Sequence, residues 1–206
     1  MTRSSSVIAL LSLACALCAS RVESQTTVTR VALVVHADSA DRTWIDAQLA
    51  QASSLFAPAD VAFEIIEVRA SPAGSSLASI EDRAARDALG SRVVTSRAGE
   101  PTRVNVFLTE RLVDVDDPPN ERMGVHWRRR RSRNVHYVIV SLRAWPTTLA
   151  HELGHYFGNP HSSTPNNLMS YDRDGTTPPF FDAAQLARIQ SHARRYTRAG
   201  LETITR

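Results

Sequence analysis

The chain of 206 residues is long enough for one domain with a buried core and too short for two full domains. All 24 of its basic residues are arginine, and 21 acidic residues nearly balance them, so the net charge of +3 does not indicate a nucleic-acid partner. Both cysteines, Cys15 and Cys18, lie near the N-terminus. Metal ligands further along the chain would therefore have to be His, Asp or Glu.

The N-terminal segment is typical of an export signal, because Arg3 precedes an apolar run from Val7 to Ala19. This run is too short for a membrane-spanning helix. We therefore expect a signal peptide over about residues 1–20. The mature chain is then secreted or periplasmic, with no membrane span and no disulfide. Anchoring as a lipoprotein at Cys15 is the alternative, because Leu13-Ala14-Cys15 resembles part of a lipobox.

Strands and helices alternate after this segment. Val28–Val35 is rich in β-branched residues and predicts a buried strand. Asp41–Phe56 has apolar residues at helical spacing, and Val61–Arg69 alternates as a second strand. A short polar helix is expected over Ile80–Leu89, and a third strand over Arg103–Leu112.

A hairpin and two helices are predicted in the second half of the chain. Gly124–Trp127 and Asn134–Leu142 predict the hairpin, with the arginine cluster Arg128–Arg133 between its strands. We interpret this cluster as a solvated tip or as a surface that attracts acidic side chains of a substrate; the lack of interleaved aromatic residues argues against nucleic acid. Helices are expected from Pro146 to about residue 157 and over Asp182–Tyr196.

The segment HELGHYFGNPH, from His151 to His161, carries the strongest chemical signal. Four residues along an α-helix turn the chain by about 400°, so His151 and His155 project from one face and can share a metal ion. Glu152 can sit beside that ion without binding it and take a proton from water. A zinc site with an adjacent general base is the prediction.

A third ligand is needed if zinc is to keep one position open for water. His161 would face away from the ion if the helix continued, so the helix has to end. Gly158 and Pro160 are placed to end it. An aspartate ligand from Asp172, Asp174 or Asp182 is the alternative, but it leaves the spacing of Gly158 and His161 unexplained.

The pattern His-Glu-x-x-His-x-x-Gly-x-x-His, followed by Met169 in the segment Asn167–Tyr171, resembles the metzincin clan of zinc endopeptidases. The resemblance implies an α+β zincin-like fold, in which a mixed twisted sheet and two helices, one carrying the first two histidines, lie above a small subdomain with one helix. It implies one metallopeptidase domain over residues 21–206, divided at about residues 158 and 159. It also implies that Met169 lies beneath the three histidines.

Tyr171 resembles the tyrosine that astacin-like and serralysin-like members place near the metal. The resemblance implies a hydroxyl that binds zinc at rest and then stabilises the transition state. Packing of the methionine turn by a half-buried ring is the alternative.

The resemblance implies a secreted endopeptidase that uses zinc-activated water and Glu152 as general base. An extended peptide would lie antiparallel to an edge strand, for which Gly124–Trp127 is the candidate, and a monomer is expected. A zinc-bearing binding or adhesion module without turnover is the alternative. Calcium is a further candidate ion at Asp114–Asp117 or Asp172–Gly175, although neither segment matches a full calcium-loop motif.

Overall fold

The computed structural model describes residues 27–38, 42–71, 76–95, 103–129, 135–198 and 203–205. Its helices are α1 (Arg42–Phe56), α2 (Arg83–Ala88), α3 (Thr148–Tyr156) and α4 (Ala183–Arg198). Its strands are β1 (Thr27–His36), β2 (Val61–Arg69), β3 (Ser79–Ile80), β4 (Arg103–Thr109), β5 (Arg111–Leu112), β6 (Gly124–Arg128), β7 (His136–Ser141) and β8 (Thr203–Thr205). The predicted signal peptide with Cys15 lies outside the described residues, as do residues 130–133 of the arginine cluster.

The main sheet has the strand order β2-β1-β4-β7-β6, and β8 pairs with the start of β1. The first four of these strands run parallel, whereas β6 runs antiparallel to β7 at one end of the order. Residues Val31 to Val35 of β1 and Val138 to Val140 of β7 are all buried. Continuous apolar runs of this kind are typical of strands covered on both faces.

One face of the sheet packs against α1, α3 and α4. Phe56 at the end of α1 lies 4.9 Å from Phe63 of β2, 5.8 Å from Phe157 after α3 and 5.0 Å from Phe181 before α4, measured between ring centroids. The other face packs against the segment around α2, including Leu89. The aromatic cluster around Phe56 thus fixes α3 against the sheet, next to the edge strand β6.

The predicted third strand, Arg103–Leu112, is two strands in the structure. β4 stops at Thr109, whose hydroxyl donates to Arg111 O at 2.9 Å. β5 then pairs with β3 in a separate two-stranded sheet instead of continuing the main sheet. The apolar pattern does not reveal this break, because Leu112 is as buried as the residues of β4.

Two predicted helices begin later than expected. In the predicted helix Ile80–Leu89, the side chain of Asp82 accepts the backbone N–H of Ala85 at 2.7 Å and starts α2 at the next residue. The helix predicted from Pro146 begins at Thr148. Helix ends are the least reliable part of a prediction from sequence, and both predicted starts precede the observed ones by only a few residues.

The arrangement of elements confirms the predicted α+β fold with a mixed sheet. Helices α1, α3 and α4 pack on one face, and α3 carries the histidine motif. Among the helices that the structure describes, none combines the length and the apolar character needed to cross a membrane.

Candidate metal centre

Helix α3 is fixed at both of its ends. Gln48 of α1 accepts the backbone N–H of Leu149 at 3.2 Å and donates to Trp145 O at 2.9 Å, which ties the start of α3 to α1. Leu153 and Phe157 are fully buried toward the sheet. This packing leaves the face with the two helical histidines turned toward the cleft beside β6.

The helix ends where the sequence predicts. Gly158 has a φ of +90°, a conformation that glycine adopts without steric cost, and Asn159 N donates back to Gly154 O at 3.0 Å. A Cβ atom at position 158 would lie 2.8 Å from the ring of His192 in α4. The chain therefore leaves the helix axis at Gly158, and His161 returns to the other two histidines.

The ring nitrogens of His151, His155 and His161 converge, with one candidate ligand atom from each within 4.8 Å of the others. Nε2 of His155 lies 3.0 Å from Nε2 of His161. Within the described part of the chain this is the only such group, and no aspartate belongs to it. Two of the alternative third ligands have other partners, since the carboxylate of Asp182 accepts Gln185 N at 2.8 Å and that of Asp174 accepts two threonine N–H groups.

The two helical histidines are held by backbone carbonyls. Nδ1 of His151 donates to Leu168 O at 2.7 Å, and Nδ1 of His155 donates to Asn159 O at 2.8 Å. These bonds fix the tautomer that leaves Nε2 as the free acceptor. Burial lowers the pKa of His151 to about 4 and also lowers the pKa of His155. Neutral imidazoles with free Nε2 atoms are what a bound metal ion requires.

Met169 lies under α3 and is fully buried. Its position explains a glycine that the sequence analysis did not interpret: a Cβ atom at Gly154 would lie 2.5 Å from Met169 Sδ. The turn that carries the methionine is held by Asn167, whose side-chain oxygen accepts Met169 N at 2.9 Å. Gly154 and Met169 therefore form a close contact between the helix and the turn.

Glu152 is only 6% exposed, and burial raises the pKa of its carboxyl group to about 8. Its carboxylate accepts a hydrogen bond from the backbone N–H of His126 in β6. This close approach depends on Gly124, where a Cβ atom would lie 2.8 Å from Glu152 Cγ and 2.7 Å from Thr148 Cγ2. Sequence reasoning missed Gly124, and its only signal was a glycine at the first position of a strand.

Tyr171 is 74% exposed, which argues against the packing alternative for this side chain. Its hydroxyl lies 2.9 Å from Nε2 of His161 and forms a hydrogen bond with the side chain of Arg122. Arg122, which the sequence analysis did not identify, is held in turn by Asp114 at 2.8 Å. The structure thus places Tyr171 next to the histidine group, together with Arg122, whose position is fixed by Asp114.

Two cavities flank the histidine group and share Gly124, Glu152 and Tyr171 in their walls. The first has a volume of about 550 Å³ and extends toward Met123, before β6; we call it the Met123-side cavity. The second has a volume of about 410 Å³ and extends along β6 to Arg128; we call it the Arg128-side cavity. The candidate centre therefore lies in the middle of a cleft that follows the edge strand.

The acidic segments considered for calcium make contacts within the protein. Asp114 pairs with Arg122, and Asp116 pairs with Arg83. The Asp174 carboxylate accepts N–H and O–H donors from the two threonines that follow Gly175, and these bonds hold its pKa below the usual range.

A second histidine group, His126 and His136, lies on the hairpin. Nε2 of His126 lies 2.9 Å from Nδ1 of His136, and the ring of His136 stacks on Tyr156 at 4.1 Å. Burial lowers the pKa of His126 to about 3 and that of His136 to about 4. No third metal-ligating side chain joins this pair among the residues that the structure describes.

Comparison with known proteins gives a structural likeness without a close sequence relative. No protein-family model matches the sequence, and no curated protein matches it. In all, 85 solved chains match the fold. One is metalloproteinase-II from Bacteroides fragilis, with a TM-score of 0.57 and 14% identity over 82% of this chain. The chain spans 55% of the length of that protein.

Two further matches are covered almost completely. Archaemetzincin from Methanopyrus kandleri has a TM-score of 0.55 and 17% identity, with 81% of this chain and 97% of that chain covered. A zinc-dependent peptidase from Methanocorpusculum labreanum has a TM-score of 0.50 and 14% identity, with 77% and 99% covered. At these identities the likeness shows a shared zincin-like fold, and the resemblance of Tyr171 to astacin-like and serralysin-like proteins stays a prediction.

Proposed function

We propose that this chain is a secreted zinc-dependent endopeptidase with Glu152 as its general base. The observation that carries the proposal is the convergence of His151, His155 and His161 beside the buried carboxyl group of Glu152. The similarity of the fold to proteins described as a metalloproteinase and a zinc-dependent peptidase supports it.

The three histidines fit zinc. Zn²⁺ accepts imidazole nitrogen, and three protein ligands leave one position open for water or substrate. The Leu168 and Asn159 carbonyls that orient His151 and His155 are the outer partners that metal-binding histidines need. When bound, zinc lowers the pKa of a coordinated water toward neutrality and polarises the substrate carbonyl group.

Glu152 moves the proton in the proposed reaction. Its carboxylate takes a proton from the attacking water, whose oxygen bonds to the carbonyl carbon of the scissile peptide. The carbon–nitrogen bond then breaks, and Glu152 gives the proton to the leaving amine. Burial alone raises the pKa of Glu152, whereas a cation bound beside it would favour the carboxylate form that accepts the proton.

Tyr171 is the proposed donor to the developing negative charge on the carbonyl oxygen. Its exposed hydroxyl, 2.9 Å from His161 Nε2, supports this role. The hydrogen bond from Arg122 orients the phenol group.

Strand β6 is the proposed docking site for an extended peptide. Its Gly124–Arg128 backbone lies at the edge of the sheet and passes next to Glu152. A peptide antiparallel to β6 would run from the Arg128-side cavity to the Met123-side cavity. Residues before the scissile bond would then occupy the Arg128-side cavity, and residues after it the Met123-side cavity.

Secretion is part of the proposal and rests on the sequence alone. We assign about residues 1–20 to a signal peptide and residues 21–206 to one metallopeptidase domain that acts as a monomer, with subdomains meeting at about residues 158 and 159. Lipoprotein anchoring at Cys15 is the alternative location.

Glu152→Gln tests the proposal. The amide keeps the shape of the side chain but cannot accept the proton, so we expect about one equivalent of zinc to remain and peptide cleavage to fall by about 10²- to 10⁴-fold. Cleavage of an unfolded protein substrate, with and without chelator, and metal analysis measure both effects. If the wild-type chain binds zinc but cleaves nothing, the zinc-bearing binding module is the correct interpretation.

A further inference from the structure

Arg173 is a cation in the Met123-side cavity with neutral partners. Its Nε donates to Ser170 O at 3.3 Å, Nη1 to Thr147 Oγ1 at 3.0 Å and Nη2 to Leu168 O at 2.7 Å. A guanidinium group has five N–H donors, so these three bonds leave two free. The side chain is therefore held in one orientation with donors to spare at the wall of the cavity.

The other charged side chains around this cavity, apart from the proposed base Glu152, are paired. Asp114 pairs with Arg122 at 2.8 Å, while Glu121 pairs with Arg111 at 2.8 Å and with Arg143 at 3.4 Å. In the described ranges no carboxylate forms an ion pair with Arg173.

Arg173 is exposed to solvent at the cavity wall, with part of its guanidinium group against protein atoms. Burial lowers the pKa of this group, but arginine remains charged in proteins. A guanidinium group that is held in place and has no carboxylate partner is available to pair with a carboxylate of the substrate. The planar group can also bind a carboxylate through two parallel hydrogen bonds.

The direction of β6 relates this cation to the substrate. The Met123-side cavity lies before the first residue of β6, so an antiparallel peptide enters it with the residues that follow the scissile bond. Its volume of about 550 Å³ lies within the range of ligand-binding cavities.

We propose that Arg173 selects substrates with a carboxylate directly after the scissile bond. The inference rests on the proposed peptidase function. The carboxylate has two sources, an aspartate or glutamate side chain or the C-terminus of a peptide that ends at this residue.

The experiment compares two pairs of peptides with the zinc-loaded full chain, starting from a peptide in which mass spectrometry has located a single cleaved bond. The first pair has Glu or Gln after that bond and an amidated end. The second pair ends at the residue after the bond, as a free acid or as an amide. We expect kcat/KM to favour the carboxylate in at least one pair by about tenfold or more.

Arg173→Gln should reduce this preference to about one, and Arg143→Gln is the matched control. Arg143 is an exposed arginine that does not line the cavity, and its partner Glu121 keeps the ion pair with Arg111, so loss of Arg143 should leave the preference unchanged. The ratio is measured within each variant and cancels any loss of active protein. Such a loss is expected because Arg173 also holds the turn at Leu168.

The outcomes separate this inference from the proposed function. Cleavage without preference in either pair, or a preference that survives Arg173→Gln, overturns the role of Arg173 and leaves the peptidase intact. If no peptide is cleaved, fluorescence anisotropy of the same labelled peptides decides. Tighter binding of the carboxylate form that Arg173→Gln abolishes supports the inference, and equal binding overturns it.

Discussion

Two groups of closely spaced histidines occur among the described residues of this protein, but only one of them is arranged to bind a metal ion. The first is formed by His151, His155 and His161, and the second is the hairpin pair His126 and His136. In the candidate metal-site group, His151 and His155 donate from Nδ1 to backbone carbonyls. Their Nε2 atoms therefore face a common centre, where Nε2 of His155 lies 3.0 Å from Nε2 of His161. In the hairpin pair, Nε2 of His126 and Nδ1 of His136 form a hydrogen bond with each other. Burial lowers the pKa in both groups, so neutrality alone does not make a metal site.

The difference lies in the outer partners. A carbonyl that fixes Nδ1 directs the opposite nitrogen to a common point, and a third histidine completes the set. The hairpin pair has no such carbonyl bonds among the described contacts, and Tyr156 covers the face of His136. Orientation by the backbone therefore distinguishes the candidate metal-binding group from the buried histidine pair of the hairpin.

His161→Ala should remove one of the three candidate zinc ligands and give the largest effect, a loss of zinc affinity. Loss of an outer partner costs about 10- to 100-fold in metal affinity, so loss of a ligand should cost more than about 100-fold. Competition with a chromophoric chelator measures the zinc affinity. His136→Gln is the control and should retain wild-type affinity; unchanged affinity in His161→Ala would remove this residue from the ligand set.

Tyr171→Phe should reduce the proposed catalysis at the histidine group without reducing metal binding. Because the hydroxyl is the proposed donor to the transition state, we expect kcat to fall on the order of 10²-fold with little change in KM or zinc content. Steady-state kinetics on the zinc-loaded variant provide the measurement. A kcat equal to that of the wild type would leave Tyr171 without a catalytic role.

The neutral ring of His136 in the hairpin pair should make the free energy of unfolding depend on pH, and this effect should be smaller than the two above. The folded-state pKa of His136, about 4, lies below the ordinary value of 6.5, so the unfolded chain binds more protons between these values. The stability from the neutral ring is therefore complete above pH 6.5 and is lost as the pH falls toward 4.

His136→Gln should reduce this acid sensitivity by about 1 kcal/mol between neutral pH and pH 5, after allowance for partial exposure. Urea unfolding at both pH values, with chelator to exclude linked metal release, measures the difference. The same pH dependence in variant and wild type would show that His136 does not titrate on unfolding.

The parts of the site that lie within one short segment could be predicted from the sequence. His151, His155, Gly158 and His161 span eleven residues, and helix geometry with one glycine stop determines how they meet. The fold class was also accessible, because β1 and β7 are continuous apolar runs and α4 has a clear amphipathic pattern. Local periodicity is sufficient for such elements.

The parts that depend on distant segments could not be predicted. Arg122 reaches Tyr171 from the loop before β6, and Gly124 gives Glu152 its place next to the strand. Gly154 is a glycine because Met169 lies against it. In the sequence alone, these residues are an arginine in a loop and two glycines, one in a strand and one in a helix. Their roles become visible only from their contacts in the folded protein.

The carbonyl group of Leu168 accepts one hydrogen bond from His151 and another from Arg173. A carbonyl oxygen has two lone pairs, so these two donors fill it. In the proposed enzyme, a substitution at position 173 that changes the cleavage preference would remove one of the two bonds that hold this carbonyl, so it would also loosen the orientation of His151 and weaken zinc binding. Redesign through Trp145, an exposed residue in the wall of the same cavity, avoids this trade-off.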